Sequence, residues 1–292
     1  MKYRTAAAFR TALEQRLLDQ SRKSDISLVR LRKAVVFDRL LARLVLAAPG
    51  RWVLKGALAL DFRMGERTRT TKDMDLVRQD DEESATADLV ACQSVDLDDF
   101  FVFAIQKAGP ITEEQDGGAV RYRVRAELAS RLFENVIVDI GFSDPLAWRP
   151  EVIPGIELLS FAGLDRIEVP ALPLEQHVAE KVHAYTGRYG RGHTSSRVKD
   201  LIDLVLVKQT MQLDAKRLRA ALVGVFEGRK EQALPEAFPP PPSEWKVPYE
   251  KLATEVGIDP DVVAGHGVRN LLDEILGGRD KGSWDRIKGA WI

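Results

Sequence analysis

Apolar residues recur at helical spacing over residues 4 to about 47, in two runs. Phe9, Leu13 and Leu17, with Arg16 beside them, mark the first; Leu28, Leu31, Val35, Leu40 and Leu44 mark the second. Asp25 stands where an N-cap for the second helix belongs, and Pro49-Gly50 ends the pair. From Trp52 to Asp144 the pattern changes to mixed α/β. Strands are predicted at 75–77, 100–105, 120–126 and 136–142, with a helix over 82–92. Gly117-Gly118 and the region 130–134 read as turns between neighbouring strands, which favours an antiparallel or mixed sheet over a parallel one. After Pro173 the spacing is helical again, in segments near 174–186, 198–209, 214–227 and 260–276. Phe238-Pro-Pro-Pro-Pro-Ser243 reads as a stiff extended connector to a C-terminal appendage. The expected fold class is α+β. Residues 1–170 hold the N-terminal helices and a mixed sheet flanked by helices, and 171–292 form a mainly helical lobe.

Composition narrows the functional classes. The 43 Lys+Arg nearly balance the 44 Asp+Glu, for a formal charge of −1, so the chain is no polybasic nucleic-acid coat. A hydrophobic fraction of 45% excludes a mostly disordered chain. No apolar run approaches the ~18–20 residues of a membrane span. The first twenty residues carry charges where a secretion signal has its apolar stretch, so the expectation is a cytoplasmic protein with no membrane partner. The single cysteine, Cys92, excludes a disulfide framework and a cysteine-rich zinc site.

The candidate chemistry begins at Lys55-Gly56 and Asp73-Met74-Asp75. On a strand, Asp73 and Asp75 project from one face while Met74 and Leu76 enter the core. Two carboxylates roughly 6–7 Å apart along a strand repel unless a cation lies between them, and oxygen ligands of this kind suit Mg²⁺ or Mn²⁺. An exposed strand edge is the ordinary alternative. In Asn135-Val-Ile-Val-Asp-Ile-Gly-Phe142, Asp139 interrupts an apolar strand and needs a metal or an ion-pair partner. An arginine such as Arg123 would serve as that partner. Gly56, opening a helix beside Lys55, would turn free backbone N–H groups toward an anion, although an ordinary strand-to-helix turn reads the same way.

Two further residues lie in helical stripes. Lys181 shares a stripe with Leu174, Val178, Val182 and Tyr185, where packing alone would place an apolar residue. Asp203 lies within the apolar run 198–207, and Lys181 is its expected partner, as a structural salt bridge, a catalytic pair, or both. Asp200, in the first turn, is read as mainly structural. Between these helices, the segment 187–197 holds three arginines, a histidine and a tyrosine, suited to phosphate contact and base stacking or simply to solvent.

Taken in order, Lys55-Gly56-Ala57-Leu58-Ala59-Leu60 and Arg69-Thr70-Thr71-Lys72-Asp73-Met74-Asp75-Leu76 resemble the first motif of the AbiEii/AbiGii-type nucleotidyltransferase toxins. Asp139 fits the third carboxylate of the polymerase-β-like nucleotidyltransferase core. Glu180-Lys181 and Arg197-Val-Lys-Asp-Leu-Ile-Asp-Leu204 are similar to the later motifs. The match runs from about residue 50 to 210, and the family's Gly-Gly or Gly-Ser pair is Gly56-Ala57 here. The resemblance implies a toxin of a type IV-like toxin–antitoxin system, with a cognate antitoxin as partner. It further implies transfer of a nucleoside monophosphate from an NTP to an acceptor, with tRNA the expected acceptor. In that comparison Asp73, Asp75 and Asp139 hold divalent metal. Lys181 and Asp203 act in catalysis, and Lys55, Gly56 and Arg197 seat the nucleotide. A phosphate on Thr70 or Thr71 would put roughly two negative charges beside Asp73 and repel the triphosphate. Transfer to a protein or small-molecule hydroxyl, and a non-catalytic RNA- or protein-binding module, are the alternatives.

Overall fold

The structure, a computed structural model, describes all residues other than 25, 66–70, 72, 112–117, 143–147, 190–192, 195–196 and 231, and gives the backbone alone at 188–189 and 193–194. Asp25, Arg69, Thr70, Lys72, Gly117 and most of the basic segment 187–197 therefore lie outside the described residues. The chain divides into two compact units, one comprising Met1–Glu66 with Thr70–Leu172, the other Arg67–Arg69 with Pro173–Ile292. Among the described residues no helix is long and apolar enough to cross a membrane.

The first unit begins with α1 (Ala6–Ser24) and α2 (Leu28–Ala47). Ser27 caps α2, its side chain accepting from the Arg30 N–H at 3.3 Å. There follow β1 (Val53–Lys55), α3 (Gly56–Met64), β2 (Asp73–Arg78), α4 (Glu82–Cys92), β3 (Phe101–Pro110), β4 (Val120–Leu128), β5 (Arg131–Phe142), β6 (Glu151–Pro154) and β7 (Glu168–Ala171). The strands form one sheet in the order β3-β4-β5-β2-β1-β7-β6. It is mixed: β2 runs parallel to β5 and β1 parallel to β7, while the other neighbours are antiparallel. The sequence pattern missed β1, β6 and β7, which are too short to display a period.

Alternation builds the layering. Tyr122, Val124, Ala126 and Leu128 of β4 and Val136, Val138 and Ile140 of β5 join Phe9, Leu13, Val35, Leu40 and Leu89 from α1, α2 and α4 in one buried core. The intervening residues of the same strands form the opposite face. Two buried ion pairs involve α2: one ties it to Asp99 ahead of β3, and the other lies within the helix. Arg43 donates to both oxygens of Asp99, at 2.9 and 2.6 Å, and Arg39 donates to Asp38. Burial pushes the Asp38 carboxyl up, against the opposing pull of Arg39. It also pushes the Cys92 thiol up to about 12, so Cys92 is a packing residue.

The β4–β5 turn differs from expectation. It consists of Ala129 and Ser130, both at positive φ (53° and 56°), between the paired residues Leu128 and Arg131. Of the turn expected at 130–134, Ser130 belongs to it and 131–134 are instead the start of β5. No Asn-Gly pair announces this two-residue turn, which normally favours such residues.

The second unit is mainly helical: α5 (Leu174–Thr186), a two-stranded ribbon of β8 (Arg188–Tyr189) and β9 (His193–Thr194), α6 (Val198–Thr210), α7 (Ala215–Arg229), α8 (Lys246–Val256), α9 (Val262–Gly265) and α10 (Arg269–Leu276), closed by β10 (Trp284–Asp285) and β11 (Ala290–Trp291). The single helix expected over 260–276 is broken by a 3₁₀ turn at His266–Val268. The proline segment is integral to this unit: Phe238 is buried and stacks on Tyr185 at 4.3 Å, and the Tyr185 hydroxyl donates to the Pro239 carbonyl. The C-terminal ribbon is likewise pinned, by Trp284 donating to the Lys208 carbonyl and Trp291 to that of Leu271.

Candidate active site

β2 places its residues as the two-residue period requires. Met74 and Leu76 are fully buried, while Asp73 and Asp75 are half-buried on the other face. β5 repeats the arrangement, with Val138 and Ile140 buried and Asp139 and Gly141 half-buried. The strand register then brings together residues far apart in sequence. Lys55 pairs with Asp75 across β1–β2, Asp75 with Asp139 across β2–β5, and Asp139 with Arg121 across β5–β4. Four adjacent strands thus carry a row Lys55–Asp75–Asp139–Arg121, positive at both ends and doubly negative in the middle. With neighbouring strands ~4.8 Å apart, the row spans roughly 14 Å.

Two glycines shape this row. Gly56 opens α3 at φ +67°, and a Cβ there would stand 1.9 Å from Asp75 Oδ2. Asp75 is therefore seated directly against the Gly56 backbone, which no other residue would permit. A Cβ on Gly141 would lie 3.6 Å from Lys55 Nζ, so the Lys55 ammonium reaches across to β5. Thr71 is buried and its hydroxyl donates to the Asp73 carbonyl at 3.4 Å, so in the folded chain it is not presented for phosphorylation.

Asp139 has the ion-pair partner that a carboxylate in an apolar strand requires, but it is Arg121, not Arg123. Arg121 Nε and Nη2 donate to the two Asp139 oxygens at 2.8 and 2.7 Å. Register decides this: Arg123 lies opposite Ile137. For a metal the consequence is direct. Asp73 and Asp75 form a carboxylate pair on one face, chemically suited to Mg²⁺ or Mn²⁺, whereas both oxygens of Asp139 are held by a guanidinium. Among the described residues no group of three or more His, Cys, Asp or Glu is placed to hold a metal ion.

In the second unit, the α5 stripe is buried at Leu174, Val178, Val182 and Tyr185, and Lys181 is buried among them. Its ammonium donates to Asp203 at 2.6 Å, as expected, and also to Asp200 at 3.0 Å. Asp200, read from the sequence as a helix-terminus residue, is a full member of the cluster. Among the described residues, one ammonium and two carboxylates are thus buried together. Arg197 immediately precedes α6 as its half-buried N-cap residue. Arg121 and Asp200 are the site residues the sequence reading missed. Arg121 shares the Asp139 face by alternation, and Asp200 lies three residues before Asp203, one helical turn away.

A family model described as the nucleotidyl transferase AbiEii toxin of type IV toxin–antitoxin systems matches residues 39–277. Among solved structures, MenT4, a nucleotidyltransferase toxin from Mycobacterium tuberculosis H37Rv, superposes with a TM-score of 0.59 at 19% identity, covering 93% of this chain and 90% of its own. JHP933 from Helicobacter pylori aligns with a TM-score of 0.45 at 16% identity, over 85% of this chain and 93% of its own. Among curated proteins, none matches the chain. The likeness to MenT4 is one of fold.

Proposed function

The chain belongs to the AbiEii family of nucleotidyltransferase toxins, and from that premise we propose that it transfers a nucleoside monophosphate from an NTP to the 3′-hydroxyl of an RNA, with tRNA the acceptor and translation the process stopped. The observation that carries this reading is the row Lys55–Asp75–Asp139–Arg121, with Asp73 two residues from Asp75 on the same face.

Asp73 and Asp75 are the residues that would hold a divalent cation, whose charge would offset that of the triphosphate and lower the pKa of the acceptor hydroxyl. The Gly56 backbone fixes the position of Asp75, so the ligand oxygens are preorganised. Lys55, facing Asp75 from β1, offers a cation to the phosphates, as does Arg197 by the family resemblance. By the family resemblance Lys181 is the lysine of the later motifs, and Asp200 and Asp203, which accept its hydrogen bonds, fix its ammonium in place. Asp139 joins the carboxylate set when Arg121 releases it. In the transfer, the acceptor oxygen bonds to the α-phosphorus, the bond to the bridging pyrophosphate oxygen breaks, and the hydroxyl proton passes to solvent. A cognate antitoxin is the regulatory partner that the family implies.

The test is incubation of the purified chain with each α-labelled NTP, Mg²⁺ and total tRNA, resolved on a denaturing gel beside Asp75→Ala. The expected result is label in tRNA, reduced at least ~100-fold by the substitution. Label in a protein band instead would reject RNA as the acceptor. Undiminished label with Asp75→Ala would reject the carboxylate assignment.

A further inference from the structure

The face of the sheet that carries the carboxylate row continues beyond it, over β4 and β3. Arg121, Arg123 and Arg125 occupy successive positions of β4 on that face. The Arg123 residue is exposed, and the Arg125 and Arg121 side chains retain 55% and 40% of their accessible surface. The cross-strand neighbours of Arg123 and Arg125 are uncharged: Gln106 and Ala104 on β3, Ile137 and Asn135 on β5. Glu127 pairs with Arg125 at 2.8 Å and Asp139 with Arg121, while Glu134 of β5 lies opposite Ala126. Arg123 has no ion pair among the described residues. The chain's net charge of −1 thus conceals a local excess of positive charge.

We propose that this arginine row is a track for the phosphate backbone of a single-stranded RNA acceptor, guiding its 3′ end to the carboxylates. The proposal rests on the reading of the acceptor as RNA. Three features carry it. The row ends in register with Asp139 and, one strand further, Asp75, so a ligand lying along it arrives where transfer takes place. Arginines two apart on a strand repeat at roughly 6–7 Å, on the order of the separation of successive phosphates along an extended strand. Finally, these positions of β3, β4 and β5 hold no aromatic side chain, so the face offers forked donors to phosphate without platforms for bases. Recognition by the track is accordingly independent of sequence. An acidic protein surface is the competing occupant, but the regular spacing of the arginines along one strand matches a repeating phosphate backbone better than scattered carboxylates.

The experiment measures binding of a dye-labelled, mixed-sequence single-stranded RNA to the full chain across a salt series, by fluorescence anisotropy. The wild-type chain is compared with Arg123→Gln/Arg125→Gln and with Arg123→Lys/Arg125→Lys. The glutamine pair should weaken binding about tenfold and flatten the dependence of log K on log salt by about 1.4, at ~0.7 for each lost phosphate contact. KM for the RNA acceptor should rise by a similar factor with kcat unchanged, and the lysine pair should restore most of the affinity. Equal affinity and equal slope for wild type and the glutamine pair, with RNA still labelled, would overturn the track and leave the proposed function standing. Absence of RNA binding by the wild type, with label transferred to protein, would overturn both. Loss of binding to an acidic partner protein with RNA binding intact would make the face a protein-docking surface and reject the proposal.

Discussion

The two units handle charge in opposite ways. In the first, Asp73 and Asp75 stand half-buried on a sheet face, with Lys55 and Arg121 at the ends of a row that solvent reaches. In the second, Lys181, Asp200 and Asp203 are all buried and bonded to one another. The first arrangement costs little to maintain, because water screens its charges. The second is costly to desolvate and holds only while each member keeps its partner. The comparison teaches that the charges of the first cluster stay in contact with solvent, whereas the second holds one ammonium at a fixed position.

The largest effect that would break this contrast is the loss of Lys181. Lys181→Ala removes the buried ammonium that Asp200 and Asp203 share and should cost about 3–5 kcal/mol of stability, read by denaturant unfolding, whereas Asp75→Ala should change stability by less than ~0.5 kcal/mol while abolishing transfer. Equal destabilisation by the two would show that the clusters do not differ in this way. Next in size is Gly56→Ala. A Cβ there collides with Asp75 Oδ2 at a positive φ, so a loss of about 1–3 kcal/mol is expected, accompanied by a fall in transfer as Asp75 is displaced. Unchanged melting and activity would mean that the strand and helix relax freely, and that Asp75 is not preorganised. The smallest effect belongs to the row's exposed end. Arg121→Gln should alter stability by no more than ~1 kcal/mol, as for other partly exposed pairs. If it instead destabilises as strongly as Lys181→Ala, the Arg121–Asp139 pair is structural, and the open character of the first cluster ends at Asp75.

Legibility in the sequence followed the length of the repeating signal. The long helices 6–24, 28–47, 174–186 and 198–210 were readable, because a 3.6-residue stripe sustained over three or more turns is hard to imitate. So were β4, β5 and the facing of Asp73 and Asp75, since a strand's period decides which residues share a side. Three-residue β1 and four-residue β6 and β7 were not, and neither was α8, which follows a proline run and a 3₁₀ turn rather than an N-capping side chain. The turn at Ala129–Ser130 escaped because its backbone is imposed by the pairing of β4 with β5, not chosen by the two residues.

By itself, then, the sequence determined which face of its own element each candidate residue occupies, for that is set by local periodicity. The tertiary structure decided who meets whom. Arg121 rather than Arg123 holds Asp139 because the β4–β5 register, a matter of hydrogen-bond pairing between strands, aligns it. Asp75 lies against Gly56 because β2 pairs with β1. Asp200 joins Asp203 on Lys181 because α5 packs against α6 at that turn. Each of these partnerships depends on contacts distant in the chain, and a one-residue slip in pairing would have turned the same residues toward the opposite face.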